Sequence, residues 1–250
     1  MFQPVTLIGS PVSPYVRKVL AVCAIKGIEV ELDPITPFMG NDDFETVSPL
    51  RRIPVWIEGD VTLCDSSIIV QYIEETRPGP ALWPADPVQR AKARFIEEFA
   101  DTRLFDVLGW KLFFQLALKP LFFGGEADQA LVDQARDADL PALLDWLETQ
   151  TPETGFLFGD LSIADLSLAP AFFNARAVKV EVEPERWPKV AAWLQRMTDE
   201  TPLGSLNKLA RALLRTPIEH HRERLTEFGL TPAARSWGGS VPRRGPMTPR

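Results

Sequence analysis

The chain has 250 residues, with 27 Lys+Arg against 34 Asp+Glu and a formal net charge of −7. Its 45% hydrophobic and 24% charged content excludes wholesale disorder, and no apolar run reaches the roughly 18 residues that a membrane-spanning helix needs. Two cysteines and two histidines exclude a disulfide framework and a four-thiolate zinc site, and the acidic balance argues against nucleic acid as the main partner.

The first segment reads β-α-β. VTLIG (5–9) is a short apolar strand that ends in the turn SPVSP. Val16, Val19, Leu20 and Cys23 then recur at helical spacing. Pro14 suits the first turn of that helix, Ser13 its N-cap, and Gly27 its stop. Residues 29–32 alternate as a strand does. After a loop, IPVWIEGDVTLC reads as two strands about the turn Glu58-Gly59-Asp60. SSIIVQYIEE is a helix, opened by Asp65-Ser66. Residues 1–76 therefore follow the element order of a thioredoxin-like domain.

Residues 77–87 (RPGPALWPADP) hold four prolines and read as a stiff linker. Beyond it the pattern is helical: 87–117 as one helix or two, 127–149 interrupted at Pro141, then 163–178, 187–198 and 202–214. The domain expectation is 1–76 thioredoxin-like, 77–87 linker, 88–215 all-helical, and 216–250 a C-terminal extension. The last 20 residues carry four Arg, four Pro, three Gly and no acid. Such a segment reads as disordered or extended, with Trp237 as the one anchor that would make it a docking arm.

Three features carry chemistry. Pro54 opens a strand and has no N–H for a sheet ladder. Were its peptide bond cis, the Ile53 backbone would turn outward and pair with an extended peptide. At Asp65-Ser66 a strand runs into a helix whose N-terminal N–H groups suit a carboxylate. Ser66 adds a hydroxyl and Asp65 an acceptor for an ammonium, which together match an α-amino acid head group. Ser13 places a hydroxyl at a helix N-terminus, where a bound thiol has its pKa lowered. Each also has a plain structural meaning, as a strand-start proline or a helix cap.

Ser-Pro-Tyr after the first strand, Arg-Ile-Pro further on, and CDSSIIVQYIEE at 64–75 together resemble the glutathione transferase family. The resemblance is greatest to its serine-type classes, tau-like and related bacterial ones, and covers residues 4–215. It implies a thioredoxin-like domain followed by an all-helical domain, with glutathione as co-substrate and no other cofactor or metal. It places Ser13 at the sulfur, Ile53 at the cysteinyl backbone, Pro54 as a cis-proline, Asp65 and Ser66 at the γ-glutamyl end, and Arg52 near the glycine carboxylate. Asp65 stands where Glu is more usual, and Ser10 remains an alternative partner for sulfur. The second substrate would be a hydrophobic electrophile in an apolar pocket, for which Trp110, Phe113 and Phe114 share one helix face. A homodimer, a cytoplasmic location, and no nucleic-acid or membrane partner complete the expectation.

Two rivals use the same scaffold. A thiol-disulfide reductase or peroxidase wants a reactive Cys, for which Cys64 is better placed than Cys23. A non-catalytic glutathione-binding or interaction module needs none. A maleylacetoacetate-type isomerase shares the glutathione site, but its usual Cys near the serine is absent here. Finally, Ser162-Ile163-Ala164-Asp165 has the form of a capping box. The resemblance implies a folding role for it, and as a lone cap Asp165 would be worth on the order of 1 kcal/mol.

Overall fold

The computed structural model of the protein describes residues 3–245. It divides into two compact units, one from Met1–Pro80 with Ser205–Arg250 and one from Ala81–Gly204.

The first unit is built on a five-stranded sheet of order β4-β3-β1-β2-β5. Strand β1 (Val5–Ile8) is central, with Leu7 and Ile8 fully buried. It runs parallel to β2 (Glu31–Asp33), Leu7 opposite Leu32, and antiparallel to β3 (Val55–Glu58), Leu7 opposite Trp56. Between β1 and β2 lies α1 (Pro14–Lys26). Ser13 caps it, Pro14 occupies the first turn, and Gly27 ends it at φ 65°, where a side chain would be strained.

The connection after β2 holds a single turn at Pro37–Met39 and a short helix, α2 (Phe44–Val47). Strand β4 (Val61–Cys64) pairs antiparallel with β3 and leads into α3 (Ser66–Thr76). The C-terminal end of α3 is fixed by Glu58 on β3. That buried carboxylate accepts from Trp56 Nε1 at 3.3 Å and Tyr72 Oη at 3.2 Å, and pairs with the Arg77 guanidinium.

The second unit is helical. Helix α4 (Pro87–Phe99) is capped by Asp86. It continues unbroken through Leu118 with wider, π-type turns, and into α5 (Lys119–Phe122). The helix thus runs beyond the expected end at 117. The expected interruption near Pro141 takes a similar form. Helix α6 (Gln129–Gln134) widens over Ala135–Asp139 and resumes as α7 (Leu140–Gln150). Pro141 has no N–H to return to residue 137, which removes one bond of the tight helical ladder there.

Helix α8 (Ile163–Ala177) is the core of this unit, with 12 of its 15 residues buried. Its capping box is formed in both directions between Ser162 and Asp165. Helix α9 (Pro188–Asp199) sends Trp193 to the same carboxylate.

Helix α10 (Leu203–Leu213) begins at the unit boundary. Residues 205–215, expected with the helical domain, group instead with the first unit. Asn207 shows why: its side-chain oxygen accepts from Arg17 Nη1 of α1 at 2.5 Å. Beyond α11 (His221–Glu227), strand β5 (Thr231–Pro232) adds to β2 in parallel.

The expectation of a disordered tail is corrected here for 231–245. Ala233 and Trp237 are buried, at 1% and 6% exposure. The Ala233 N–H donates to the Leu32 carbonyl, and the Asn41 N–H to the Trp237 carbonyl. Composition missed this because the order comes from partners nearly 200 positions away in sequence. Residues 246–250, part of the same expectation, lie outside the described residues.

Candidate active site

Three loops of the first unit meet around the expected glutathione residues. Gly9 ends β1 at φ 147°, and a Cβ there would lie 2.5 Å from Val16 Cγ2 and 3.0 Å from Ile53 Cβ. Only glycine lets the β1–α1 turn approach Ile53 so closely. The Ile53–Pro54 peptide bond is cis. Ser66 is buried at the head of α3, and the ammonium of Lys18 on α1 donates to Ser67 Oγ at 3.0 Å and Ser66 Oγ at 3.4 Å. The α1 start, the Ile53–Pro54 turn and the α3 start are thus joined.

Ser13 and Ser10 differ in exposure. Both hydroxyl oxygens accept from a backbone N–H, Ser13 from Val16 at 3.4 Å and Ser10 from Val12 at 3.3 Å. Each therefore keeps its own proton to donate. Ser10 is 1% exposed, whereas Ser13 is half-buried at the surface of the α1 N-terminus. Of the two, Ser13 has the more accessible hydroxyl.

Asp65 has φ 79°, a left-handed conformation costly for a residue with a Cβ. It is exposed, and one carboxylate oxygen caps α3 by accepting from the Ser67 N–H at 2.9 Å. Beside it, at the same helix start, stands the Lys18–Ser66 pair. An ammonium that donates to a hydroxyl oxygen leaves the hydroxyl proton to be given elsewhere. Ser66 is thereby oriented as a donor, the polarity that a carboxylate requires. Sequence reasoning missed Lys18, since a lysine in an amphipathic helix is normally solvated.

The two adjacent arginines separate. Arg51 is buried at φ 51° and spans the loop before it, donating to the Gly40 carbonyl at 2.5 Å and to Glu45 at 3.0 Å. Arg52 is exposed, and its backbone is held by Ser48, which accepts from the Arg52 N–H at 2.8 Å.

Neither cysteine is an activated thiol. Burial pushes the Cys23 thiol up to about 12. Burial also raises that of Cys64, which donates to the Val47 carbonyl at 2.8 Å. Among the described residues no cluster of His, Cys, Asp or Glu is arranged to hold a metal, and no helix is long and apolar enough to cross a membrane.

The aromatic trio belongs to the helical unit. Phe113 and Phe114 are packed in its interior, at 4% and 1% exposure, and Trp110 is half-buried. The Trp110 ring stands edge-on to Phe105 and Phe114, with centroids 5.3 and 5.4 Å away.

Residues 7–81 match the family described as glutathione S-transferase, N-terminal domain, and residues 129–196 its C-terminal domain. A glutathione S-transferase of Hyoscyamus muticus is 32% identical over 191 residues, covering 74% of this chain and 89% of that protein. A probable maleylacetoacetate isomerase 1 of Drosophila melanogaster is 31% identical, covering 67% of each. In three dimensions, a glutathione S-transferase of Sinorhizobium meliloti superimposes with a TM-score of 0.74 over 89% of this chain and 99% of its own, at 24% identity. Both halves of the family match in order along one sequence, and a relative spans most of it, so the chain belongs to the glutathione S-transferase family of enzymes.

Proposed function

We propose that the protein binds glutathione in its first unit and activates the thiol for attack on a hydrophobic electrophile. The observation that carries this reading is the meeting of three donor-bearing loops, joined by the Gly9–Ile53 contact and the Lys18 bonds to Ser66 and Ser67. In it the Ile53 backbone pairs with the cysteinyl unit beside cis-Pro54. Ser66 and the α3 N-terminus receive the γ-glutamyl carboxylate, Asp65 its ammonium, and Arg52 the glycine carboxylate. Ser13 donates to the sulfur.

The chemistry is substitution. The thiol gives up its proton, sulfur forms a bond to carbon, and the leaving group departs with its electron pair. A hydroxyl donor at a helix N-terminus favours thiolate over thiol. Lowering the thiol pKa by about 2 units corresponds to about 2.7 kcal/mol, and holding the two reactants together supplies the rest. The raised thiols of Cys23 and Cys64 weigh against the disulfide-reductase reading. We further propose a cytoplasmic homodimer.

A second reading, glutathione-assisted isomerisation of a maleyl-type acid, is favoured by the similarity to the Drosophila protein.

The test is retention on immobilised glutathione, followed by turnover of an aromatic halide and of a maleyl substrate. Ser13→Ala lowers turnover and raises the pH at which the bound thiol ionises. Unchanged values in Ser13→Ala, together with loss in Ser10→Ala, would assign the sulfur to Ser10. No retention and no turnover would leave a non-catalytic module.

A further inference from the structure

The C-terminal segment after α11 makes three kinds of contact with the elements that carry the candidate site. First, Asp33 at the end of β2 is fully buried. Its carboxylate accepts from Ser236 Oγ and from the Trp237 N–H, both at 2.8 Å, and lies 3.4 Å from the Arg222 guanidinium. The carbonyl of the same residue accepts from the Gly9 N–H at 2.8 Å, and that of Ile35 from the Ser10 N–H at 2.7 Å. The residue that anchors the tail therefore also holds the β1–α1 turn.

Second, the tail runs along the connection between β2 and β3. Gly239 N–H donates to the Met39 carbonyl at 2.5 Å, Arg243 N–H to Phe38 at 2.6 Å, and Asn41 N–H to Trp237 at 2.8 Å. Arg235 and Arg243 pair with Asp43 and Asp42. Arg51 grips the same Gly40–Asn41 stretch from its own side. Third, Gly245 ends next to the residues before Arg52, where a Cβ would lie 3.3 Å from the Leu50 carbonyl.

A connection of this length holds little structure of its own: one turn and the four residues of α2. Backbone bonds on one side and Arg51 on the other fix it from outside. We infer that residues 231–245 act as a strap, anchored at Asp33, that holds the 34–52 connection and so positions Arg52 and Ile53 for glutathione. The inference rests on the glutathione reading above. Asp33 is a positioning residue that touches no substrate. Because coupling between two sites is reciprocal, glutathione must hold the strap as much as the strap holds glutathione.

The experiment uses the full-length chain, Asp33→Asn, and a deletion of 231–250. Asparagine keeps the volume of Asp33 but can offer its one oxygen to only one of the two 2.8 Å donors. Glutathione affinity is measured by calorimetry, and KM and kcat for the aromatic halide reaction by initial rates. Release of the tail is followed by trypsin cleavage at Arg235 and Arg243, with and without glutathione. We expect Asp33→Asn to raise Kd and KM for glutathione about tenfold with kcat within about twofold. In the unmodified chain, glutathione slows tail cleavage by a similar factor. If the deletion fails to fold, Asp33→Asn and the trypsin measurement decide. No heat with the unmodified chain overturns the glutathione reading, and this inference with it. Binding by the unmodified chain, with equal affinity in Asp33→Asn and cleavage indifferent to glutathione, overturns the inference alone.

Discussion

Replacing Asp165 tests how the helical unit is held together. The carboxylate is fully buried and divides its bonds evenly. One oxygen accepts from the Leu157 N–H at 3.0 Å and Trp193 Nε1 at 2.9 Å, the other from the Ser162 N–H at 3.1 Å and Ser162 Oγ at 2.7 Å. Asp165→Ala strands three donors that have no freedom to turn, two N–H groups and an indole. The Ser162 hydroxyl can rotate and escapes. At about 1–3 kcal/mol per stranded buried donor, the gross loss is about 3–9 kcal/mol. Removing a buried charge returns part of its desolvation cost, which leaves a net destabilisation of about 3–4 kcal/mol. Asp165→Asn keeps the oxygen that serves Leu157 and Trp193 and turns its amide toward the Ser162 N–H, so one or two contacts fail and the cost is about 1.5–2.5 kcal/mol.

Urea unfolding followed by tryptophan fluorescence measures both variants. With a slope of about 2–3 kcal/mol per molar, the Ala midpoint falls by about 1–2 M and the Asn midpoint by roughly half of that. An Ala variant within about 0.4 M of the unmodified chain would show that Asp165 contributes only as an isolated cap. Equal losses in the two variants would refute the division of labour between the two oxygens.

Lys18→Met should raise the KM for glutathione about fivefold to tenfold with little change in kcat, because it frees the Ser66 hydroxyl to turn away; an unchanged KM would show that Ser66 orients itself. Cys23 should resist alkylation in the folded chain at neutral pH and react once urea unfolds it, since its folded thiol ionises only near pH 12. Acid stability should show two opposed trends. Burial raises the Asp33 and Asp165 carboxyls, so the native chain takes those protons first, and these groups add stability as pH falls through their folded values toward the unfolded ones. Asp139, lowered by its bonds from Lys111 and Arg103, contributes above its unfolded value and loses that contribution as pH falls through its folded one. Tm of Asp139→Asn against pH should therefore converge with that of the unmodified chain in acid, and a constant offset would refute the assignment.

Local rules made much of this molecule legible. The Ser13 cap, Pro14 in the first turn, the Gly27 stop and the Ser162–Asp165 box each depend on residues within a few positions, and their side-chain chemistry names the structure. The family motifs lie on three such junctions, which is why a candidate site could be named from residues alone. What escaped is held by distant partners. Nothing near Lys18 in the sequence says that two serines of α3 will bury it. The tail has no hydrophobic period, yet Asp33 fixes it through donors more than 200 positions on. The separation of Arg51 from Arg52 follows from a left-handed backbone at Arg51, to which residue type gives no clue.

The two-residue strand β5 also changes what the sheet shows to other molecules. An uncovered β2 would offer a row of open N–H and C=O groups, a template on which another chain can extend the sheet. Instead that side ends in Thr231 and Pro232, too short to propagate pairing and half of it lacking an N–H. Cutting away the tail would therefore do more than loosen a loop. It would bare a sticky rim, and the shortened chain should clump at concentrations where the intact one stays dispersed.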